Sequence, residues 1–295
     1  MKNGHRAVRE LPYSPAVGSP HGVEVLSFAA LRSMDAQRRR VLPQRPAFHV
    51  LALVTSGSGN HEADFRSSPL AEGSAVWIRP GMVHRWSDVE DCDGPLVLFR
   101  PGFLPDSTAL EALAPTCWHL DKTRLGLALY AVEHLCREHA TAARLPHLAS
   151  PALLSHLLAA LVLRALPDQL AQRDSPPPDN RTKDVFRAYQ AAVEEHCTDW
   201  HQVADYATAL GYGVRTLTRA TRALKGMGAK TYLDQRILLE AKRLLAHTDV
   251  PVEGCARRLG FRDVANFTTF FRRQAGVPPA AWRTAYAATH TARGV

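Results

Sequence analysis

Two stretches of ten residues, VADYATALGY at Val203–Tyr212 and VEGCARRLGF at Val252–Phe261, share the pattern V-x-x-x-A-x-x-L-G-aromatic. The match resumes after one inserted residue, where it pairs Leu217 with Phe267, Arg222 with Arg272, Gly226 with Gly276 and Tyr232 with Trp282. Self-similarity at a period of about 50 residues is typical of a supersecondary unit that is used more than once. The last third of the chain therefore contains two copies of one small structure.

Each copy is predicted to be a helix-turn-helix. In the first copy Val203, Ala207 and Leu210 form one apolar stripe at helical spacing. The small alanine allows a second helix to cross closely. Gly211 and Gly260 follow the first helix of each copy, and a residue without a Cβ atom tolerates the left-handed backbone of a tight turn.

The second helix of each copy is predicted to have one apolar side. The two helices are predicted to differ in their N-cap residues. Asp263 is a good N-cap residue, whereas its counterpart Gly213 is a weaker one. The residues expected to face inward are Leu217 and Leu224 in the first copy and Phe267, Phe270 and Phe271 in the second.

The outward side of each second helix carries cations with short hydroxyl or aliphatic side chains. These residues are Arg215, Thr216, Thr218, Arg219 and Arg222 in the first copy, and Val264, Ala265, Thr268, Thr269, Arg272 and Arg273 in the second. Arginine can bond two acceptors of guanine or a phosphate, and threonine can contact a base edge or the thymine methyl group. We predict that both helices contact DNA; the alternative is two solvated helices of a structural bundle.

A single helix is predicted between the copies, in the stretch TYLDQRILLEAKRLLAHTD at residues 231–249. Its expected buried side contains Leu233, Ile237, Leu238, Ala241, Leu244 and Leu245. A stiff helix shared by both copies would fix the distance between their second helices. At a distance of about 34 Å, one turn of B-DNA, both could enter successive major grooves.

The excess of positive over negative charge is confined to the same region. The formal net charge is +8, and residues 1–180 contain 18 Lys and Arg against 18 Asp and Glu, whereas residues 181–295 contain 18 against 10. Clustered cations gain free energy by releasing counterions from phosphates, so this excess favours a polyanionic partner. On charge alone, a solvated basic face explains it equally well.

A longer set of residues spans both copies: Leu210-Gly211-Tyr212, Leu217-Thr218-Arg219, Ala256-Arg257-Arg258-Leu259-Gly260-Phe261, Asn266-Phe267, Phe270-Phe271-Arg272, Gly276-Val277-Pro278-Pro279 and Trp282-Arg283. With this tandem motif, about the last hundred residues resemble the AraC/XylS family of bacterial transcription regulators. The resemblance implies two helix-turn-helix units joined by a linker helix and fused to an effector-sensing, dimerising domain. It also implies promoter DNA as a partner and, for an activator, RNA polymerase.

The resemblance assigns base-reading positions to Arg215, Thr218 and Arg219 in the first copy, and to Val264, Ala265, Thr268 and Thr269 in the second. Family members often carry longer polar side chains at the second set, so this chain departs from the pattern there. Gly213 in place of the usual serine N-cap is a milder departure. We expect the first copy to carry most of the direct base readout and the second to contribute phosphate and thymine-methyl contacts.

The N-terminal part of the chain has a different pattern. Three consecutive prolines in SPPPDN, residues 175–180, predict a stiff extended connector. Before it, residues 23–103 alternate apolar and polar in short runs such as FHVLALVT (Phe48–Thr55) and SAVWI (Ser74–Ile78), with turn residues between the runs. This pattern predicts an antiparallel sheet that closes into a small barrel or sandwich.

Helical spacing returns between Thr123 and Leu166. The apolar residues that follow it are Leu125, Leu129, Val132 and Cys136, then Leu153, Leu157, Leu158, Leu161 and Val162. We predict two amphipathic helices, divided near Pro146 and Pro151. They would either cap the barrel or form a dimer face.

The stretch AEGSAVWIRPGMVHRW, Ala71–Trp86, resembles the turn-and-strand signature of cupin barrels. A cupin metal site also needs a His-x-His pair and a Glu, whereas GNHEADF at Gly59–Phe65 contains one His. We therefore expect no metal and no cofactor. Sensing domains of the resembled family commonly hold a small organic effector in the barrel, and the candidate pocket residues are His49, His61, Trp77, Arg79, His84 and Trp86. Each of them could equally be a surface or core-edge residue, because strand alternation alone does not say which face is inward.

The five cysteines are widely spaced and contain no CxxC pair, so neither a disulfide framework nor a zinc cluster is indicated. A reducing cytosol fits this usage best. The first residues, MKNGHRAVRE, have no apolar segment of a signal peptide, and the most apolar stretch is too short to span a bilayer. The expectation is a soluble, cytoplasmic protein with no membrane partner.

These features together predict an α+β protein. It comprises an N-terminal arm (1–22), a cupin-like β-barrel sensor (23–121), a helical dimerisation region (122–172), a proline-rich linker (173–182) and an all-α DNA-binding domain (183–288), with helix-turn-helix units at about 200–225 and 250–274. The predicted function is a non-enzymatic, effector-responsive, sequence-specific transcription regulator that forms a homodimer. One alternative is a metal-dependent cupin enzyme fused to a DNA-binding domain, which the missing His-x-His disfavours. Another is a sequence-indifferent architectural DNA binder, which the groove-facing Arg and Thr residues disfavour.

Overall fold

The computed structural model describes residues 8–14, 22–35, 37–105, 114–145, 150–167 and 179–291. They form two compact units, one before and one after residues 168–178, here called the N-terminal unit and the C-terminal unit. Most of the predicted N-terminal arm and most of the predicted proline-rich linker lie outside the described residues.

The N-terminal unit contains two five-stranded sheets. The strands of the first sheet are Arg9–Leu11 (β1), Gln44–Pro46 (β3), Gly59–Ala63 (β5), Arg66–Leu70 (β6) and His84–Asp88 (β8), in the order β1-β3-β8-β5-β6. Those of the second sheet are Val23–Ser27 (β2), His49–Leu53 (β4), Ser74–Ile78 (β7), Pro95–Phe99 (β9) and Cys117–His119 (β10), in the order β10-β7-β4-β9-β2. The strands pair antiparallel except β1 with β3, which pair parallel.

The two sheets pack face to face as a sandwich. Val50 and Val76 of the second sheet meet Leu70 and Trp86 of the first in one buried apolar cluster. Because side chains alternate along a strand, Leu51 on β4 points the other way and joins a second cluster. Strand alternation thus produces two cores, one on each face of the second sheet.

Two helices, Lys122–Arg144 (α2) and Pro151–Ala165 (α3), supply the rest of that second cluster. The prediction of two helices in this region is confirmed, and they cover the outer face of the second sheet. The predicted stripe was wrong at Leu153, which is 43% exposed, because the helix turns the neighbouring Leu154 into the core instead.

Three elements of the N-terminal unit carry no clear periodic signal in the sequence. Helix α1, Phe28–Met34, follows β2 directly and is capped by the Ser27 hydroxyl, which accepts from the Ala30 N–H. Strand β1 lies within the predicted arm, and β10 lies beyond the predicted run of strands. Both strands have three residues, too few to establish an alternating pattern.

The C-terminal unit is helical, as predicted. Its helices are Asn180–His196 (α4), Val203–Leu210 (α5), Val214–Lys225 (α6), Ala229–His247 (α7), Val252–Arg258 (α8), Val264–Ala275 (α9) and Pro279–Thr291 (α10). Helices α5 and α6 form the first repeat, and α8 and α9 form the second. The single helix α7 joins them, which confirms the predicted linker helix.

The turns and caps of the repeats follow the sequence. Gly211 and Gly260 have φ angles of 68° and 71°, in the left-handed region that glycine tolerates. The Asp263 carboxylate caps α9 by accepting from the Asn266 N–H at 2.7 Å, whereas Gly213 gives α6 no side-chain cap. The helix-turn-helix prediction is therefore confirmed in both copies, including the difference between their caps.

The structure contains neither a disulfide nor a membrane-spanning helix among its described residues. All five cysteines are free and lie buried or half-buried, and burial raises the pKa of each thiol above its usual value. Among the residues that the structure describes, no helix has both the length and the apolar character needed to cross a bilayer.

Candidate nucleic-acid interface and sensor core

Helix α6 presents its predicted DNA-contact residues on one outward side. The three exposed residues are Arg215, Arg219 and Arg222. The two half-buried residues are Thr216 and Thr218. On the opposite side, Leu217 and Leu224 are buried. The guanidinium groups of Arg215 and Arg222 form no ion pair or hydrogen bond with any described residue. Their donors are thus available to an external acceptor.

Helix α9 presents a different surface on the same scaffold. Of its predicted contact residues, Thr268 is half-buried. The exposed ones are Val264, Ala265, Thr269, Arg272 and Arg273. Val264, the first residue of the helix, is 42% exposed, so an apolar side chain lies on the surface at one of the positions predicted to contact bases. Arg273 has a partner within the protein, because its Nη2 lies 3.8 Å from Oδ2 of Asp234.

Aromatic packing fixes α9 against the rest of its repeat. Phe267 and Phe271 are fully buried, and Phe270 is 8% exposed, as the sequence predicted. Phe261, just after the turn, lies with its ring 5.3 Å from that of Phe267 and 5.2 Å from that of Phe270. The aromatic residues therefore form the core, and the cations around them remain on the surface.

The first repeat has a core of its own that includes tyrosines. The rings of Tyr189 on α4 and Tyr206 on α5 meet edge to face at 5.5 Å, and both side chains are fully buried. Desolvation raises the pKa of both phenols, so both stay neutral and able to donate. The Tyr189 hydroxyl donates to the carbonyl oxygen of Ala229 at 2.9 Å, which ties α4 to the start of α7.

Helix α7 buries the side that the sequence indicated. Leu233, Ile237, Ala241 and Leu245 are each at most 1% exposed. The two remaining predicted core residues, Leu238 and Leu244, are half-buried. Asp234, also on this helix, is an acidic residue that the sequence analysis did not single out. Its side chain is buried, at 6% exposed.

The six candidate effector residues are not brought together in one place. Trp77 belongs to the cluster between the second sheet and helices α2 and α3, whereas Trp86 belongs to the cluster between the two sheets. Strand alternation separates them, because β7 and β8 point these side chains to different cores. We call His61, His84 and Trp86 the inner cluster, and His49, Trp77 and Phe99 the outer cluster.

The inner cluster contains two buried, uncharged imidazoles. Nε2 of His61 lies 3.3 Å from Nδ1 of His84, and the His61 ring lies 4.5 Å from that of Trp86. Burial lowers the pKa of His84 to about 3, and burial together with His84 lowers that of His61 well below its ordinary value. Both rings are therefore neutral at pH 7, and one can donate a hydrogen bond to the other.

The outer cluster is built around His49. Nε1 of Trp77 lies 3.3 Å from Nδ1 of His49 and donates to it, and the His49 ring stacks on Phe99 at 4.7 Å. Burial, with a smaller contribution from Arg79, lowers the pKa of His49 to about 3. Arg79 is half-buried, lies over the Trp77 ring at 5.1 Å and donates to the carbonyl oxygen of Ala114.

Two aromatic neighbours of these clusters were missed. Phe99 stands directly opposite His49 in the pairing of β9 with β4, and Phe28 of α1 meets Trp86 edge to face at 5.3 Å. Each reads in the sequence as an ordinary apolar residue, and only strand register or tertiary packing places it beside a histidine. Among the described residues, no group of three or more His, Cys, Asp or Glu side chains is arranged to hold a metal ion.

A tandem pair of helix-turn-helix units and a β-sandwich covered by two helices are the parts of a ligand-linked DNA-binding regulator. Comparison with known families agrees with this class. Residues 206–285 match a helix-turn-helix domain, and residues 26–175, half of the chain, match the AraC-like ligand binding domain. The chain belongs to the AraC family of transcription regulators, with a DNA-binding helix-turn-helix domain and a ligand-binding domain.

Individual relatives are more distant. The chain is 25% identical over 245 residues to the HTH-type transcriptional activator RhaS of Enterobacter sp. (strain 638), covering 77% of this chain and 82% of that protein. It is 26% identical over 249 residues to RhaS of Klebsiella pneumoniae (strain 342), with the same coverage. The solved DNA-binding domain of AdpA, a global transcriptional factor in complex with a target DNA, is 32% identical, covering 39% of this chain and 96% of that chain, with a TM-score of 0.33.

Proposed function

We propose that this regulator binds promoter DNA as a dimer and reads base sequence mainly through α6. In this scheme α9 supplies phosphate contacts through Arg272 and apolar contacts with thymine methyl groups through Val264 and Ala265. A small organic molecule in the N-terminal unit changes the affinity for DNA. The protein acts in the cytoplasm, and it contacts RNA polymerase if it activates transcription.

The observation that carries this proposal is the outward side of α6. Arg215, Arg219 and Arg222 are exposed on a helix whose opposite side is buried in the core of its repeat. Arg215 and Arg222 have no ion pair with any described residue, so none is lost when they bind phosphate or guanine. An exposed, rigidly held arginine row therefore fits a major groove better than a bundle surface.

Selection from random duplexes with the full-length protein tests the proposal. We expect enrichment of one sequence that contains two half-sites about one helical turn apart, with guanine in the half-site that α6 contacts. A pool that keeps its random composition after several rounds, while the protein binds every duplex equally, would instead support a sequence-indifferent architectural protein.

A second copy of the chain is proposed to cover the exposed side of α2. Leu127 and Tyr130 lie three residues apart, so they share a face of the helix, and they are 41% and 72% exposed. Leu163 of α3 is 57% exposed. Large exposed apolar side chains are more stable when another surface removes them from water.

Light scattering of a Tyr130→Glu variant tests the dimer. We expect a monomer at concentrations where the unchanged protein is dimeric, because a buried carboxylate without a partner opposes association. Arg66→Glu, on the exposed strand β6, is the control and should leave the mass unchanged. A Tyr130→Glu protein that remains dimeric would move the interface elsewhere.

The inner cluster is proposed as the place where the effector binds. One hydrogen bond joins the two neutral imidazoles and leaves each ring a second nitrogen, so the pair offers one organic ligand both a donor and an acceptor. The test is Trp86→Ala, with Trp77→Ala as the matched change in the outer cluster. Once a metabolite screen has found a ligand that shifts the melting temperature, only Trp86→Ala should abolish the shift; the reverse result would place the ligand beneath α2 and α3.

A further inference from the structure

The two repeats attach to different halves of α7. In the first half, Ala229 and Leu233 are fully buried, and the Ala229 carbonyl accepts the hydrogen bond from α4. In the second half, Ala241 and Leu245 pack with Leu259 and the buried aromatic residues of the second repeat. Apolar packing therefore fixes each repeat to the helix separately.

One direct contact between the repeats lies at the turn of the second repeat. Nε2 of His201, in the loop before α5, donates to the carbonyl oxygen of Leu259 at 2.7 Å, and its ring lies 4.5 Å from that of Phe261. The backbones are equally close, because a Cβ atom on Gly260 would lie 2.1 Å from the carbonyl oxygen of Thr198. The first repeat thus touches the turn that sets the angle of α9.

A second contact passes through the buried carboxylate of Asp234. Nζ of Lys230 donates to the carbonyl oxygen of His201 at 2.8 Å and to Oδ1 of Asp234 at 2.7 Å. Oδ2 of Asp234 accepts from Nε2 of Gln274 at 3.3 Å and lies 3.8 Å from Nη2 of Arg273. These bonds connect the loop before α5 to the end of α9 without passing through the apolar cores.

We call His201, Lys230, Asp234 and Gln274 the inter-repeat clasp. A carboxylate that is 6% exposed is expensive to bury, and here it is satisfied by partners from two helices. Hydrogen bonds to such a group require a narrow range of distances and angles, whereas apolar contacts allow helices to slide or tilt. The clasp is therefore suited to fixing an orientation.

We propose that the inter-repeat clasp sets the separation and rotation of α6 relative to α9, so that the protein demands one spacing between two half-sites. His201 and Asp234 are then positioning residues that act on specificity without touching DNA. This inference rests on the proposed function, in which both helices contact DNA. It adds that part of the operator's information, its spacing, is held in residues far from the bases.

The test compares four operators in binding assays with the full-length protein: the selected site, versions with two base pairs inserted or removed between the half-sites, and a version with the second half-site scrambled. A shift of two base pairs rotates one half-site by about 70° around the DNA axis. Wild-type protein should lose about tenfold in affinity for the shifted sites, because Val264 and Ala265 then no longer meet the thymine methyl groups of the second half-site.

Asp234→Ala should bind the selected site less tightly than wild type but lose less affinity when the spacing shifts, and it should match wild type on the scrambled site. His201→Ala, which leaves the buried carboxylate in place, should show the same pattern. Glu195→Ala removes an exposed negative charge from α4 and should behave as wild type. Melting temperatures of all variants verify that they are folded at the assay temperature.

The possible failures are distinguishable. Clasp variants that keep the full wild-type spacing penalty, or that lose affinity equally on all four operators, would overturn the role of the clasp alone. Wild-type protein that ignores scrambling of the second half-site would remove the proposed thymine-methyl contacts of α9, and the inference with them, whereas the proposed base reading by α6 would stand.

Discussion

The two repeats have the same backbone plan and different surfaces. In the first, α6 carries three exposed arginines and no side-chain cap, and the turn at Gly211 has open space around it. In the second, α9 begins with a capping aspartate and an exposed valine, and the turn at Gly260 presses on the neighbouring loop. The difference teaches that a duplicated fold keeps its buried pattern while its caps, turns and outward side chains are free to specialise.

The largest expected effect separates the two turns. Gly260→Ala should destabilise the C-terminal unit by about 3 to 5 kcal/mol, because it adds left-handed strain and a collision with the carbonyl oxygen of Thr198. Gly211→Ala has the strain without the collision and should cost about 1 kcal/mol. Urea unfolding of both variants measures the difference; equal losses would mean that the two turns are equivalent.

Base reading is expected to separate the two recognition helices. Arg219→Ala should relax the preference at one operator position and cost about 1 to 3 kcal/mol of binding free energy there. Titration of the selected site and of its single-base variants measures this preference. The same loss on operator and on random DNA would reassign Arg219 to the phosphates.

Phosphate binding is expected to be the main role of α9. Arg272→Ala should weaken binding to all sequences by about three- to tenfold and reduce the slope of log affinity against log salt by about 1. Affinities measured over a series of salt concentrations give this slope. A loss confined to one base position would show that the second repeat also reads sequence through arginine.

The smallest expected effects concern the caps. Asp263→Ala should lower the free energy of unfolding by about 1 kcal/mol, since the Asn266 N–H loses its acceptor. Gly213→Ser supplies the side-chain cap that α6 lacks and should raise the free energy of unfolding by only about 0.3 kcal/mol. Thermal melting compares them, and a Gly213→Ser gain as large as the Asp263→Ala loss would show that the two caps are worth the same.

The sequence predicted most reliably what repeats or alternates locally. The duplicated motif indicated both turns and both inward sides, and the helical spacing after Thr123 indicated α2 and α3. Short elements escaped, because strands of three residues contain too little pattern. Leu153 was placed inward because a stripe of leucines does not reveal a small rotation of the helix.

The site was harder to predict wherever it depends on partners distant in the chain. The outward cations of α6 could be read from one helix, but the division of the histidines into inner and outer clusters depends on which sheet face each strand turns inward. Asp234 reads as an ordinary helix-surface residue. In the structure it is buried and accepts a hydrogen bond from Gln274, which lies 40 positions later in the chain.

The condition of the native thiols has a practical consequence. Thiolates react with maleimides, and all five cysteines here are shielded and have raised pKa values. New cysteines at two exposed alanines, Ala204 on α5 and Ala280 on α10, should therefore take fluorescent dyes selectively in the otherwise native background. Energy transfer between such dyes would report in real time whether the two repeats move apart as the regulator engages its promoter.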